Sequence, residues 1–475
     1  MSAPTPPSVD AVILPGFRGT TLPDWVAERL RADLVGVCLY GENVVSEEQL
    51  RSLVAEVRAL RPDAIVAIDE EGGDVTRRHY VDGSPYPGAA LLGRLDDPAL
   101  TAAVGAAVAG ELRGIGVDLN FAPVADVNAD PRNPVIGVRS FGADPALAAR
   151  HVAAFTTAHE RAGVATSVKH FPGHGDTAAD SHLALPVVDV PLDVLRERDL
   201  PPFRAAIEAG ARTVMTSHIL LPQVDPANPA TFSPFVLNDL LRGELGFDGV
   251  IVSDALDMAG ASGEIGIPAA AARSLAAGCD LLLLGTGGSA EQLDEIRDAM
   301  IAAVESGSLA PERLANATDR VSRLVESLRG ARTGAEGVAE PPSAEVLARG
   351  FDVAAGVSVA ADAVLVVVET EANIAVGFAP WGPAAVEGVA VRRIAAGDAL
   401  PADLVAQTPV VLVAKDVHRH PDVAALADVV RAARPGSLVV DMGWPSGPVD
   451  VATYGASRGV GEALVHWLRT RGWRG

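Results

Sequence analysis

Residues 169–185, KHFPGHGDTAADSHLAL, gather three of the chain's ten histidines, two aspartates and a lysine among three turn-forming Gly and Pro residues. Lys169 and His170 end an apolar run, and the rest reads as a long, glycine-containing loop. Within it Asp180 stands two residues before His182, a spacing that lets the carboxylate orient the imidazole and raise its pKa, which makes a proton donor near neutral pH. His170, His174, Asp176, Asp180 and His182 are numerous enough for a metal centre. None of their spacings is a metal signature such as HExxH, however, and Lys169 repels a cation, so no metal and no cofactor is expected. Asp254, in GVIVSDALDMAG, directly follows another apolar run. That position suits a nucleophile or charge stabiliser, and equally a helix N-cap. Asp69 with Arg77 in AIDEEGGDVTRRH, and Arg139 in NPVIGVRSFG, offer carboxylate and guanidinium groups for two-point contacts with vicinal hydroxyls. In so acidic a chain, arginines that merely pair with neighbouring acids are the competing reading.

Residues so far apart need elements that bring them together. Eight short apolar runs recur through the first 290 residues: AVILPG (11–16), LVGVCLY (34–40), AIVAID (64–69), VDLNFAPV (117–124), ATSVKHF (165–171), RTVMTSH (212–218), GVIVSDA (249–255) and DLLLLG (280–285). Helical stretches separate them. Continuous apolar strands alternating with helices predict a parallel sheet covered on both faces, and eight such units predict an α/β fold of the (β/α)₈ type, with a doubly wound open sheet as runner-up. Nearly every run ends in a polar residue: Asp69, Asn120, Lys169 with His170, His218 and Asp254. In a barrel those strand ends converge on one mouth, so one pocket can collect them.

Two helical patterns after residue 290 lead into the Gly/Pro/Ala/Glu stretch GARTGAEGVAEPPSAE, which reads as a linker. The expected division is a barrel over 1–335, a linker over 336–350 and a smaller α/β sandwich domain over 351–475, built on AVLVVVET, PVVLVAKD and GSLVVDMG. Near the end, GASRGVG has the glycine spacing of a dinucleotide loop. Too little chain follows it for the rest of such a domain, so it is read as a tight turn entering a terminal helix.

Length and charge narrow the partners. The chain's 475 residues can bury a large core, and a formal net charge of −23 argues against nucleic acid and anionic membranes and for a small-molecule substrate. Cys38 and Cys279 lie in or beside apolar runs and are expected as buried thiols rather than a disulfide. No basic leader and no apolar run of about 18 residues or more occurs, so a cytoplasmic setting is expected.

Taken in order, DEEGGDVTR, DLNFAPVADVNADPRNPVIGVRSFG, KHFPGHGDTAADSHLALP, VMTSHILLP and GVIVSDALDMAG resemble the β-N-acetylhexosaminidase branch of glycoside hydrolase family 3. The likeness is strong over roughly residues 10–330, and the C-terminal part is similar to the second domain of two-domain bacterial members. The resemblance implies a retaining exo-β-N-acetylglucosaminidase acting on cell-wall- or chitin-derived oligosaccharides. Asp254 matches the nucleophile, and His182 with Asp180 matches the acid/base. Asp69, Arg77, Arg139, Lys169 and His170 match residues that hold the N-acetylglucosamine unit. An imidazole acid/base leaves no carboxylate charge beside an anionic acceptor, so a phosphorylase releasing GlcNAc-1-phosphate is the alternative. His174 and Asp176 are left to shape the loop, and the second domain to support the fold. Two positions depart from the family pattern. Ala255 follows the nucleophile match where a second Asp is common, and Asp74 stands where an arginine is common. Asp74 is expected to place negative charge near the mouth and to disfavour acidic aglycones such as muramyl peptides.

Overall fold

The computed structural model describes residues 8–177, 185–331, 340–370, 374–404 and 408–475. Each of the eight apolar runs contains a strand: β1 Ile13–Pro15, β2 Gly36–Leu39, β3 Ile65–Ile68, β4 Leu119–Asn120, β5 Ala165–Phe171, β6 Thr213–Thr216, β7 Val250–Val252 and β8 Leu282–Leu284. Every residue of these strands is buried, which is why the runs are continuously apolar instead of alternating. Strands β2 to β7 pair in sequence order, all parallel. A bridge between Val252 and Leu281 carries the sheet to β8, which pairs in parallel with β1. The Val35 N–H donates to the Asp10 carbonyl at 3.3 Å, joining the approaches to β1 and β2. With β1 lying between β8 and β2 the sheet curls into a barrel, and the open-sheet alternative is set aside.

Helices cover the outside. Among them α1 spans Ala89–Leu95, α2 spans Pro98–Ile115 and α3 spans Pro145–Arg161. The last two begin alike: Asp97 and Asp144 accept hydrogen bonds from first-turn N–H groups, and a proline follows whose missing N–H is not needed there. Among the described residues no helix is long and apolar enough to cross a membrane.

A second sheet follows, built from β9 Asp352–Val353, β10 Val364–Glu369, β11 Arg392–Ala395, β12 Val410–Ala414, β13 Leu438–Asp441 and β14 Val451–Ala452. Its order is β9-β14-β13-β12-β10-β11, parallel except for the β9–β14 edge. Alternate residues of β10 enter different cores. Leu365 and Val367 pack with Val460, Leu464 and Trp467 of helix α5 (Arg458–Thr470), while Val366 and Val368 pack with Val423 and Val430 of helix α4 (Pro421–Ala433). This is the expected sandwich of helices on both faces of a sheet. The stretch read as a linker is not all extended: it holds a short helix, Ala344–Ala348, whose Leu347 is buried in the α5-side core.

Leu91 of α1 also enters that α5-side core, so the barrel and the second sheet share apolar surface. GASRGVG forms the entry to α5. Ser457 caps the helix by accepting from the Val460 N–H, and its own hydroxyl donates to the Tyr86 carbonyl at 2.6 Å. Its glycines serve close packing rather than phosphate: a Cβ on Gly459 would lie 2.1 Å from the Pro85 carbonyl oxygen, and one on Gly461 would lie 2.2 Å from that of Gly382. Gly459→Ala is therefore expected to destabilise the fold by about 1–3 kcal/mol, read as a lowered thermal midpoint. Gly447→Ala, whose Cβ meets nothing within 4 Å, is the control. Equal midpoints for the two variants would contradict the packing role.

Candidate active site

Past the carboxyl ends of the barrel strands lies a cavity of about 240 Å³, lined by Asp69, Arg77, Arg139, Lys169, His170 and Asp254 among others. These six residues chosen from the sequence thus meet in one place, although 185 positions separate Asp69 from Asp254. Asp180 and His182 lie outside the described residues. The volume is below the range of about 300–1,000 Å³ typical of drug-sized sites and suits one small ring.

A buried charge network forms part of the lining. Lys169 Nζ donates to Asp69 Oδ1 at 2.6 Å and lies 2.8 Å from Glu71 Oε1. Arg139 grips the same Glu71 with two donors, Nε at 3.0 Å and Nη2 at 2.8 Å. Side-chain exposures are 3% for Lys169, 6% for Arg139 and 8% for Glu71, so the three charges are nearly removed from water. Burial alone would raise the Glu71 carboxyl, but Arg139 and Lys169 overturn that and hold it well below the usual carboxylate range. For Lys169, burial works toward a lower pKa, and Asp69 with Glu71 raises it above its ordinary value. Glu71 was not singled out from sequence. The signal for it is that two buried cations need a carboxylate between them.

Lys169 and His170 come from a slip in the sheet, because the β5–β6 register shifts between Val168 and Phe171. Irregularities of this kind re-aim side chains beside functional sites. Asp126 then fixes the histidine. Its Oδ2 accepts from His170 Nδ1 at 2.7 Å, and its Oδ1 accepts the backbone N–H groups of His170 and His174 at 3.2 and 2.7 Å. Burial would raise the Asp126 carboxyl, but His170 and His174 bring it below its ordinary value. Sequence reading passed over Asp126 because it lies within VADVNAD, beyond the end of a strand run.

His174 shapes its loop as expected, sharing a hydrogen bond with Thr177 Oγ1 at 3.0 Å, but it also lines the cavity. Burial lowers its pKa to about 4, so it is neutral at pH 7. Asp176 pairs with Arg198 at 2.7 Å. Asn120 and His218 do not line the cavity. Asn120 bonds both the N–H and the carbonyl of Glu70, at 2.9 and 2.8 Å, and so locks β3 to β4. His218 Nε2 lies 3.1 Å from the Ala255 carbonyl and fixes the backbone beside Asp254. Asp254 itself accepts the Ala255 N–H at 2.8 Å.

Arg77 gains a further role, and two expectations are corrected. Arg77 lines the cavity, and its Nη2 and Nη1 also donate to the carbonyls of Ala375 at 2.7 Å and Val376 at 3.3 Å, so it joins the barrel to the second domain. Asp74 is absent from the cavity lining. It accepts the Ala456 N–H at 2.8 Å across the seam between domains, and burial raises its carboxyl while Lys415 draws it back. Its charge is spent at that seam, so Asp74 gives no basis for discrimination against acidic aglycones. The second domain is more than support, since Ile374 and Ala375 line the cavity. Among the described residues no group of three His, Cys, Asp or Glu side chains is placed to hold a metal ion.

The glycosyl hydrolase family 3 N-terminal domain matches residues 19–324. The chain belongs to glycosyl hydrolase family 3. It is therefore a glycoside hydrolase, and its relatives agree. A β-hexosaminidase of Chromobacterium violaceum is 40% identical over 326 residues, covering 67% of this chain and 87% of that protein. The structure of a family 3 β-N-acetylglucosaminidase from Paenibacillus sp. str. FPU-7 is 31% identical with a TM-score of 0.85, covering 98% of this chain and 96% of that one. A β-N-acetylhexosaminidase from Beutenbergia cavernae aligns over 67% of this chain and 97% of its own, at 32% identity and a TM-score of 0.60.

In this family 3 chain, Glu71→Gln leaves two buried cations without their shared anion and is expected to destabilise the fold by about 3–5 kcal/mol, measured as a lowered urea midpoint at pH 7. Because the folded Glu71 pKa is depressed, its contribution is present above the unfolded value of about 4.3 and is lost as pH falls through the folded value. The gap between wild type and variant should therefore close on acidification below about pH 4.3. A difference under about 1 kcal/mol at pH 7 would contradict the network's role.

Proposed function

We propose that the chain is a retaining exo-β-N-acetylglucosaminidase that removes terminal β-linked N-acetylglucosamine from cell-wall- or chitin-derived oligosaccharides. The observation that carries this reading is a one-ring cavity holding both an anchored network of Asp69, Lys169, Glu71 and Arg139 and a separate carboxylate, Asp254, at the end of β7. The names of the similar β-hexosaminidases and β-N-acetylglucosaminidase support the choice of sugar.

In this mechanism Asp254 attacks the anomeric carbon as the bond to the leaving oxygen breaks. His182, oriented by Asp180, gives its proton to that oxygen. His182 then takes a proton from water, the water displaces Asp254 from the glycosyl-enzyme, and the sugar leaves with its configuration retained. Lys169, Asp69, His170 and Arg139 hold the ring. Charges already paired inside the protein are fixed before substrate arrives, so little reorganisation accompanies binding. The two buried free cysteines accord with a cytoplasmic setting.

Turnover of p-nitrophenyl β-N-acetylglucosaminide, with products identified in buffers with and without phosphate, tests the reaction. Free N-acetylglucosamine in both buffers is expected. GlcNAc-1-phosphate formed in phosphate would make the enzyme a phosphorylase, and no turnover would overturn the reading. Asp254→Asn is expected to lower kcat by more than about 10³-fold, and His182→Ala to lower it by about 10²–10⁴-fold on substrates with poor leaving groups. Full activity in Asp254→Asn would remove Asp254 from the nucleophile role.

A further inference from the structure

Among the described residues, the second domain reaches the cavity through the turn at 374–378, IAVGF. That turn is fastened to the barrel at three points. Arg77 binds the carbonyls of Ala375 and Val376, the hydroxyl of Tyr80 accepts the Phe378 N–H at 3.2 Å, and Ala375 packs against the apolar cluster of Val124, Val135 and Ile136. Gly377 takes the left-handed conformation that closes the turn, with φ +74°. The turn is therefore held in register with the cavity by the barrel's own side chains.

Depth separates the two kinds of lining. Lys169, Arg139 and His170 are 2%, 7% and 7% exposed and lie at the polar floor, whereas Ile374 is 52% exposed and stands at the mouth. An exo-acting enzyme seats the terminal sugar on the floor, so whatever is linked to that sugar leaves past the mouth. Beside Ile374 the wall is apolar, formed by Val135, Ile136 and Ala375. The nearby guanidinium of Arg77 is committed to main-chain carbonyls. Among the described residues that form this wall, Val135, Ile136, Ile374 and Ala375 carry no charge, so a carboxylate-bearing aglycone gains no ion pair from them. An uncharged sugar ring can lay its C–H face on Ile374.

We infer that Ile374, supplied by the second domain, is a specificity-determining residue at the aglycone side of the pocket, selecting an uncharged ring such as a second β-linked N-acetylglucosamine. This rests on the exo-glycosidase reading above. Two substrates that share the terminal sugar separate the two claims: N,N′-diacetylchitobiose, whose aglycone is a ring, and methyl β-N-acetylglucosaminide, whose aglycone is one methyl group. The ratio of their kcat/KM values is the readout, because a general loss of folded enzyme cancels from it. Ile374→Asp is expected to lower the chitobiose-to-methyl ratio by about tenfold, and Ile374→Ala by less. A ratio unchanged in Ile374→Asp overturns the inference and leaves the glycosidase reading intact. A wild-type enzyme that cleaves neither substrate overturns both.

Discussion

One carboxylate shared by two cations holds the site together. Glu71 follows β3, Lys169 lies in β5 and Arg139 precedes α3, so their pairing ties three separate barrel segments into one charged floor. Burying any of these charges alone would carry a penalty of several kcal/mol, and mutual neutralisation with well-formed hydrogen bonds offsets it. The same pairing leaves Lys169 and Arg139 positioned and ionised beside the cavity. Asp69, which takes a second bond from Lys169, extends the network to the pocket surface.

Around that floor, the remaining polar residues act through each other. Asp126 orients His170 and draws in the backbone of His174, while His218 fixes the carbonyl next to Asp254. The second domain is held by contacts of other kinds: Leu91 in its core, Ser457 on the Tyr86 carbonyl, Asp74 on the Ala456 N–H, and Arg77 on the turn at 375–376. Arg77 and Arg139 thus do different things with the same group. One matches a carboxylate with its planar fork, and the other spreads its donors over main-chain oxygens from another domain.

The barrel was legible because burial on both faces forces strands into continuous apolar runs, and all eight runs became strands. The pocket was legible because parallel strands end on one side, which brought Asp69, Lys169, His170 and Asp254 together. Partner choice was not legible. Asn120 and His218 also sit at strand ends, yet they satisfy backbone groups instead of facing the cavity. Nothing in DEEGGDVTR says that the second glutamate meets Lys169 a hundred residues away, or that Asp74 turns toward a helix that begins near residue 458. Such contacts depend on how loops cross between distant segments, which local periodicity does not encode.

In the proposed mechanism Asp254 forms the glycosyl-enzyme. Acid-quenching the enzyme during turnover of a slow, activated N-acetylglucosaminyl substrate and mapping the modified peptide by mass spectrometry tests it most directly. One N-acetylglucosaminyl unit on the peptide carrying Asp254, absent from Asp254→Asn, is the expected result. An adduct on another carboxylate such as Asp257 or Asp69, or the same adduct persisting in Asp254→Asn, would contradict it.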